Sequence, residues 1–381
     1  MSYVKILRVV SRYIVGIVFV FSGFVKGVDP LGTVYQFQDY MIAYGMEWAI
    51  PLALVGTVIL CTLEFTIGVS LLLNLKMNIT RWALLGIMVA FTILTFFDAL
   101  FDPVPDCGCF GEAIILTNWQ TFYKNLVLMV FVLIILFTHR YARSTFLKKV
   151  QNVLTIFTIL IFSGFTVYSY NRLPLVDFLD WEKGRDLVPE DTGKQSTYLI
   201  YKNKGTGEEK KMLSGDLPWQ DSVWMSHWEY VSTEITDSGI PKYNGLQILD
   251  STGLDVTCFY VANPGYQFIL VSPDLEKANQ KALVKMVRFC EEATHYDLSF
   301  ILLTGSLPDV VERFREKSGA NFEIFYADDI VLKMMIRSNP GLILLHDGII
   351  VDKWHHHYFP EFRGNKQHVP AIGIRSGTGI S

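Results

Sequence analysis

Five apolar runs divide the first 170 positions. The first, 13–24 (YIVGIVFVFSGF), follows a start that holds Lys5, Arg8 and Arg12. The others cover about 50–73, 82–101, 120–137 and 152–170. A helix needs roughly 20 residues to cross about 30 Å of hydrocarbon, and each run with its flanks supplies them. No small-x-small cleavage site follows the first run, and further spans come after it. It therefore reads as a retained helix rather than a signal peptide. Segment 33–46 (TVYQFQDYMIAYGM) is too mixed to span. It is expected at the outer interface or over the mouth of the bundle.

Beyond residue 170 the pattern changes. Residues 171–193 read as a membrane-proximal linker. Strands at 197–201 and 210–213 around NKGTGEE predict a hairpin. Region 218–245, rich in Trp, Ser and Gly, shows no clear period. Strands are then expected at 254–262, 267–272, 298–303 and 322–326. Helices are expected at 274–294, 307–318 and 329–337. Pro308 opens the second of these helices and Gly319 closes it. Strands 341–345 and 348–354 form a hairpin around His346-Asp347-Gly348. Alternating strands and helices predict a small α/β domain.

Charge sharpens this division. The first 170 residues hold eleven Lys/Arg and eight Asp/Glu, and the remaining 211 hold 22 and 29. One half is built for lipid and the other for water. No strongly basic face is available for nucleic acid. The N-terminus, the 75–81 loop and the 138–150 loop carry bases without acids. Segment 25–47 carries Lys26 against Asp29, Asp39 and Glu47, and 98–118 carries only acids before Lys124. Positive-inside bias places the N-terminus in the cytoplasm. Five crossings then put everything after 171 on the far side, which is the periplasm of a double-membrane bacterium.

The sharpest chemical feature is Asp106-Cys107-Gly108-Cys109-Phe110-Gly111, in the acidic outer loop. Gly108 removes a Cβ obstacle between the two thiols. The outer compartment permits disulfides, and a ring closed across one residue exchanges readily. Cys107 and Cys109 are thus a candidate redox pair, with a static loop brace as the alternative. Glu64 lies inside the second span, where a carboxylate is costly unless protonated or paired. Cys61 lies one turn earlier, and Lys26 is the candidate partner. Glu64 and Lys26 form either an intramembrane tuning or proton site or a structural hydrogen bond. His355, His356 and His357 follow Trp354. Side chains alternate along a strand, so these three are not expected to share a metal, and no metal site is assigned. Cys258 and Cys290 are expected in the core, or paired with each other.

SGFVKGVDP at 22–30, LEFTIGVSLLL at 63–73 and CGCFG at 107–111 resemble the DoxX/MauE-like family of membrane bundles. The whole chain is similar to Bacteroidota-type members with a fifth span and an external domain. The resemblance implies a four-helix core over 1–140 and a fifth transmembrane helix over 141–171. It also implies quinone-linked oxidation or thiol maturation of envelope proteins, with a quinone as the one cofactor to consider. LQILDSTGLDVTCFY at 246–260 and NPGLILLHDGIIVDKW at 339–354 resemble a thioredoxin-like domain of the TlpA type. That resemblance makes Pro340 a cis-proline and Asn339–Pro340 a candidate partner-binding face. Where the family places Cys-x-x-Cys, this chain reads SPDLEKANQ at 272–280, without cysteine. The domain would then dock partners without exchanging thiols.

The expected architecture is an all-α transmembrane bundle followed by an external α/β thioredoxin-like domain. Its parts are 1–140, the fifth helix 141–171, a linker and hairpin region 172–245, the α/β domain 246–360 and a tail 361–381. The leading functional expectation is an inner-membrane thiol-disulfide or quinone-linked redox protein acting on envelope proteins or a membrane complex. A non-enzymatic envelope assembly or scaffold protein is the second, and a transporter the third.

Overall fold

The computed structural model describes residues 2–104, 108–138, 146–188, 196–204, 209–213, 227–236, 242–295 and 298–360. Asp106, Cys107, Arg140, Arg143 and the tail 361–381 lie outside the described residues.

The N-terminal half is helical: α1 (Ser2–Val28), α2 (Pro30–Ala43), α3 (Ala53–Leu73), α4 (Met77–Phe101), α5 (Asn118–Phe137) and α6 (Lys148–Tyr170). Among the described residues, four helical segments are long and apolar enough to cross a membrane. They are Glu47–Leu73, Met77–Phe101, Asn118–Phe137 and Lys148–Tyr170. This is a membrane protein, and its outward faces carry Ile59, Ile93, Val127 and Leu160 exposed. An apolar exterior is stable only against lipid. The first predicted run lies within α1, a 27-residue helix that packs along α3.

Two glycines make that packing close. A Cβ on Gly23 would stand 2.7 Å from the Phe65 backbone nitrogen, and one on Gly68 would stand 2.6 Å from that of Val20. Between lipid-embedded helices, small residues let backbones approach where apolar contact alone gives little drive. Segment 33–46 forms most of α2. Pro30 starts that helix, and the Asp29 side chain caps it by accepting from Gly32 N at 3.0 Å. The helix packs against α3 and α6 instead of spanning.

The C-terminal half is mixed α/β. Strands β1 (Ser196–Asn203), β2 (Glu209–Leu213) and β3 (Trp228–Thr236) form an antiparallel sheet in the order β2-β1-β3. The predicted hairpin is therefore present, and the region without a clear period supplies its third strand. The main sheet has the order β6-β5-β4-β7-β8. It is built from β4 (Tyr266–Ser272), β5 (Ser299–Thr304), β6 (Glu323–Tyr326), β7 (Gly341–His346) and β8 (Ile349–His355). β4, β5 and β6 are parallel, and β7 and β8 are antiparallel. Both faces of the sheet are covered, which is why β4 and β5 read as nearly unbroken apolar runs. Helices α8 (Gln280–His295) and α9 (Pro308–Ser318) cover one face through Leu283, Met286 and Val311. Helix α10 (Asp329–Met335) and Trp181 cover the other.

Three expectations are corrected. Residues 254–262 do not form a strand. Asp255 Oδ1 accepts from Thr257 N at 2.9 Å and from its hydroxyl, turning the chain into the short helix α7 (Thr257–Val261). This local turn overrides the β-branched run. Cys258 lies on the exposed side of α7 as a free thiol, neither in the core nor paired with Cys290. Cys290 is buried under α8. The segment read as linker is also partly core. Trp181 is only 2% exposed, and residues 184–187 bond along β8 through Gly184 N to Ile350 O and Leu187 N to Gly348 O. That strip covers an otherwise bare sheet edge.

The close α1–α3 contact generates a prediction. Gly23→Leu should destabilise the detergent-solubilised protein by about 3 kcal/mol, the upper end for overpacking, because backbone blocks the new side chain. Gly86→Leu, at a position with nothing within 4 Å, should leave the thermal midpoint within error. Equal midpoints for the two variants would refute the close contact.

Candidate functional site

The α1–α3 contact brings together polar groups that lipid would otherwise penalise. Ser22 and Lys26 lie one turn apart on α1, and Glu64 faces them from α3. Lys26 Nζ donates to both Glu64 oxygens at 2.8 and 2.9 Å, and to Ser22 Oγ at 3.1 Å. Lys26 is 4% and Glu64 1% exposed. An intramembrane charge is expensive alone and tolerable with a hydrogen-bonded partner. The structure thus places the two predicted residues in one ion pair. Cys61, a free thiol with no exposure, lies one turn from Glu64.

The glycine-cysteine loop closes over this pair. Gly108 has φ +58°, and a Cβ there would collide with the Gln36 side chain. Gly111, at φ +52°, donates its N–H to Gly108 O at 3.0 Å and completes a turn. Positive φ at both positions suits glycine. Ser22 Oγ lies 2.6 Å from Cys109 O and 2.9 Å from Glu64 Oε2, so α1 holds both the loop and the carboxylate. Phe110 packs on Phe21 and lies under the Lys124 ammonium, 4.3 Å from its ring centre. Of the predicted thiol pair, the structure places Cys109 here, and Cys107 is outside the described residues.

Two spaces meet at Lys26 and Cys109. The smaller is about 20 Å³ and touches Ser22, Glu64 and Asn125, with room for one water molecule. The larger is about 420 Å³, within the usual range for small-molecule sites. Its walls are mostly apolar and include Phe37, Tyr40, Tyr44 and Phe91. Helix α2 thus walls a cavity, a role the sequence suggested only as packing over the bundle mouth.

Behind that wall lies a group that sequence reasoning missed. Asp98, fully buried near the end of α4, accepts from Tyr40 Oη at 2.7 Å and Tyr44 Oη at 3.4 Å. In the sequence it stood only as one of several outer-loop acids. Its place inside an apolar helix, like that of Glu64, was the available signal. Tyr40 and Tyr44 therefore connect the cavity to a buried carboxylate.

The α/β domain reaches the same end of the bundle. Arg337 Nε donates to Asp29 Oδ2 at 2.8 Å, and Nη2 to Glu112 Oε1 at 3.2 Å. Nη1 donates to Lys333 O at 2.6 Å. Burial works to lower the Arg337 pKa, but the Asp29 and Glu112 carboxylates outweigh it and hold the guanidinium above its usual value. Two residues later the Asn339–Pro340 peptide bond is cis. Asn339 Oδ1 accepts from Ser272 Oγ at 2.7 Å, and Asn339 Nδ2 donates to Asp274 O at 2.8 Å. Pro340 itself is buried. Asn339 bonds within its own domain, and Arg337, two residues earlier, ties the same loop to the bundle.

The three histidines depart from strand alternation because β8 ends at His355. Burial, then the neighbouring imidazoles, push His355 down to about 3, and burial with His357 pushes His356 down to about 4. Both rings are neutral at pH 7.

Removing one partner of a buried pair strands the other charge. Lys26→Met and Glu64→Gln should each destabilise the protein by about 3–5 kcal/mol. The double variant should recover at least half of the summed loss, read from denaturation midpoints in detergent. Strict additivity would show that the two groups do not interact.

No curated protein and no solved structure matches the chain. Residues 4–138, the segment that contains Lys26, Glu64, the cavity and the CGCFG loop, match the family model described as methylamine utilisation protein MauE.

Proposed function

We propose that this chain is an inner-membrane thiol-disulfide oxidoreductase of the cell envelope, using Cys107 and Cys109 with a quinone. The observation that carries this reading is the position of Cys109. It lies on the wall of a 420 Å³ aromatic-lined cavity that also contains Lys26 of a buried ion pair. The match of residues 4–138 to MauE supports a membrane role for this half.

The proposed topology has five crossings, α1 and α3 to α6, with a cytoplasmic N-terminus. Loop charges support it through the positive-inside bias. A second support is independent of charge counting. Asp29, between α1 and α2, and Glu112, between α4 and α5, both bond Arg337 of the α/β domain. All three therefore belong to one side, the periplasmic side in this reading. The α/β domain is read as thioredoxin-like from its strand order and the cis-proline before β7. Its SPDLEKANQ segment supplies no thiol, so it serves as a non-catalytic docking module.

The cavity residues suit a quinone. Phe37, Tyr40 and Phe91 offer aromatic surface for a planar ring, and the Lys26 ammonium places a positive charge at one end. When bound, a quinone supplies an acceptor for two electrons and two protons. Cys107 and Cys109 lose their two thiol protons and two electrons, and one S–S bond forms. Lys26 lies beside Cys109 on the cavity wall. Tyr40, bonded to buried Asp98, gives a cavity-facing hydroxyl a proton-exchanging partner. The resulting disulfide is then passed to a thiol pair of an envelope protein by exchange.

Acid-quenched alkylation of intact membranes tests this reading. The wild-type 107–109 pair should be partly reduced, shift toward the dithiol when quinone is depleted, and return on its restoration. Either Cys107→Ser or Cys109→Ser should abolish that response and trap a mixed disulfide with an envelope protein. A pair held in one state under every condition, with no mixed disulfide, would overturn the proposal and favour a static scaffold.

A further inference from the structure

We propose that His355, His356 and His357 form a binding site for a divalent transition cation of the zinc type, between the last membrane helix and the α/β domain. One ligand-capable nitrogen from each ring lies within 4.8 Å of those of the other two. The ring centres are 4.1, 4.1 and 4.9 Å apart. Zinc–nitrogen bonds of about 2.0–2.1 Å at a tetrahedral angle need nitrogens about 3.4 Å apart. Small side-chain movements close that difference. His355 is buried, His356 half-buried and His357 exposed, so a cation has both a rigid base and an entry side.

The hydrogen bonds around the cluster prepare two rings as ligands. Ser338 Oγ donates its only proton to Pro340 O at 2.6 Å. It also accepts from His356 N at 3.0 Å. His356 Nδ1, 3.0 Å from the same hydroxyl, must then be the donor. That tautomer leaves the Nε2 lone pair of His356 unprotonated. His357 Nδ1 faces Asn171 O at 3.3 Å, and a carbonyl only accepts. The same tautomer and the same Nε2 lone pair follow for His357. Metal-bound histidines typically donate their second nitrogen to such an oxygen, which fixes ring orientation. His355 completes the set through Nδ1, whose lone pair receives only a long 3.3 Å bond from His357 N.

Three imidazoles with no carboxylate suit zinc, nickel or copper better than magnesium or calcium. One coordination position remains for water or another ligand. Among the described residues Arg172 faces the cluster; it stacks on Tyr358 at 4.4 Å and acts against His355 protonation. Its charge also works against a metal ion, so affinity in the micromolar range is expected. Occupancy would brace three segments at once. These are the C-terminal end of α6 at Asn171, the loop at Ser338 and the end of β8. This site is separate from the thiol-quinone reading and stands or falls without it.

The test uses full-length protein in detergent, free of any polyhistidine tag, titrated with Co²⁺ and then competed with Zn²⁺. One Co²⁺ per chain should bind with visible d–d absorption, and Zn²⁺ should displace it. His357→Ala removes an exposed ring and should fold normally by circular dichroism. It should lose the absorption and weaken binding at least tenfold. Ser338→Ala should weaken it roughly 10–100-fold by releasing the His356 ring. Absence of stoichiometric Co²⁺ uptake by the wild type would overturn the site. So would unchanged uptake by His357→Ala and His356→Ala.

Discussion

The Lys26–Glu64 ion pair is the constraint from which the membrane half is organised. Neither charge is tolerable alone at that depth, so α1 and α3 must present them to each other. Side chains of ordinary length reach only if the helices nearly touch, and Gly23 and Gly68 provide the contact. Once α1 is fixed against α3, Ser22 is positioned between Glu64 and the Cys109 carbonyl. The loop that carries Cys109 is therefore referenced to the ion pair by one hydroxyl. The cavity follows from the same arrangement, because α2 leaves α1 directly after Lys26 and folds back as its wall.

Much of this was legible in the chain, and the limits have physical causes. Spans are set by apolar length, so four predicted runs reappear within a few residues as transmembrane-length helices. Glu64 stood out as a lone carboxylate in an apolar run, and Lys26, at the outer end of the first run, could be named as its partner. The α/β domain followed from strand-helix alternation, and β4 and β5 from their apolar runs. Arg337 could not be found this way. Its main partner lies 308 positions earlier, and nothing local separates it from an exposed arginine. The three histidines were misread for a narrower reason. Alternation holds only inside a strand, and β8 stops at the first of them. Residues 254–262 failed because one Asp255 side chain outbid the β propensity of its neighbours.

Among the described residues, buried charged groups centred on Arg337 attach the α/β domain to the bundle. Arg337 is 4% exposed, so its guanidinium has left water and depends on its acceptors. Asp29 supplies one of these while capping α2, the helix that walls the cavity. Tyr35 on the same helix lies near Lys333 and Arg337, with centroid distances of 5.3 and 5.8 Å. Displacement of the domain would thus disturb the cap, the aromatic contacts and the cavity wall together.

The two carboxylates that hold Arg337 are not equivalent, and only one of them is a buried anchor. Asp29 sits at 2.8 Å with its side chain 11% exposed, at a helix start fixed by Pro30. Glu112 sits at 3.2 Å with its side chain 34% exposed, in the loop that continues from Cys109. Loss of the Glu112 contact leaves the guanidinium bonded to Asp29 and Lys333 O, and a partly solvated pair contributes little by itself. Loss of Asp29 would strand a buried cation. The domain's seat on the bundle therefore rests on Asp29 and α2 rather than on the glycine-cysteine loop. The domain is thus anchored where a helix start is fixed by Pro30 and Asp29.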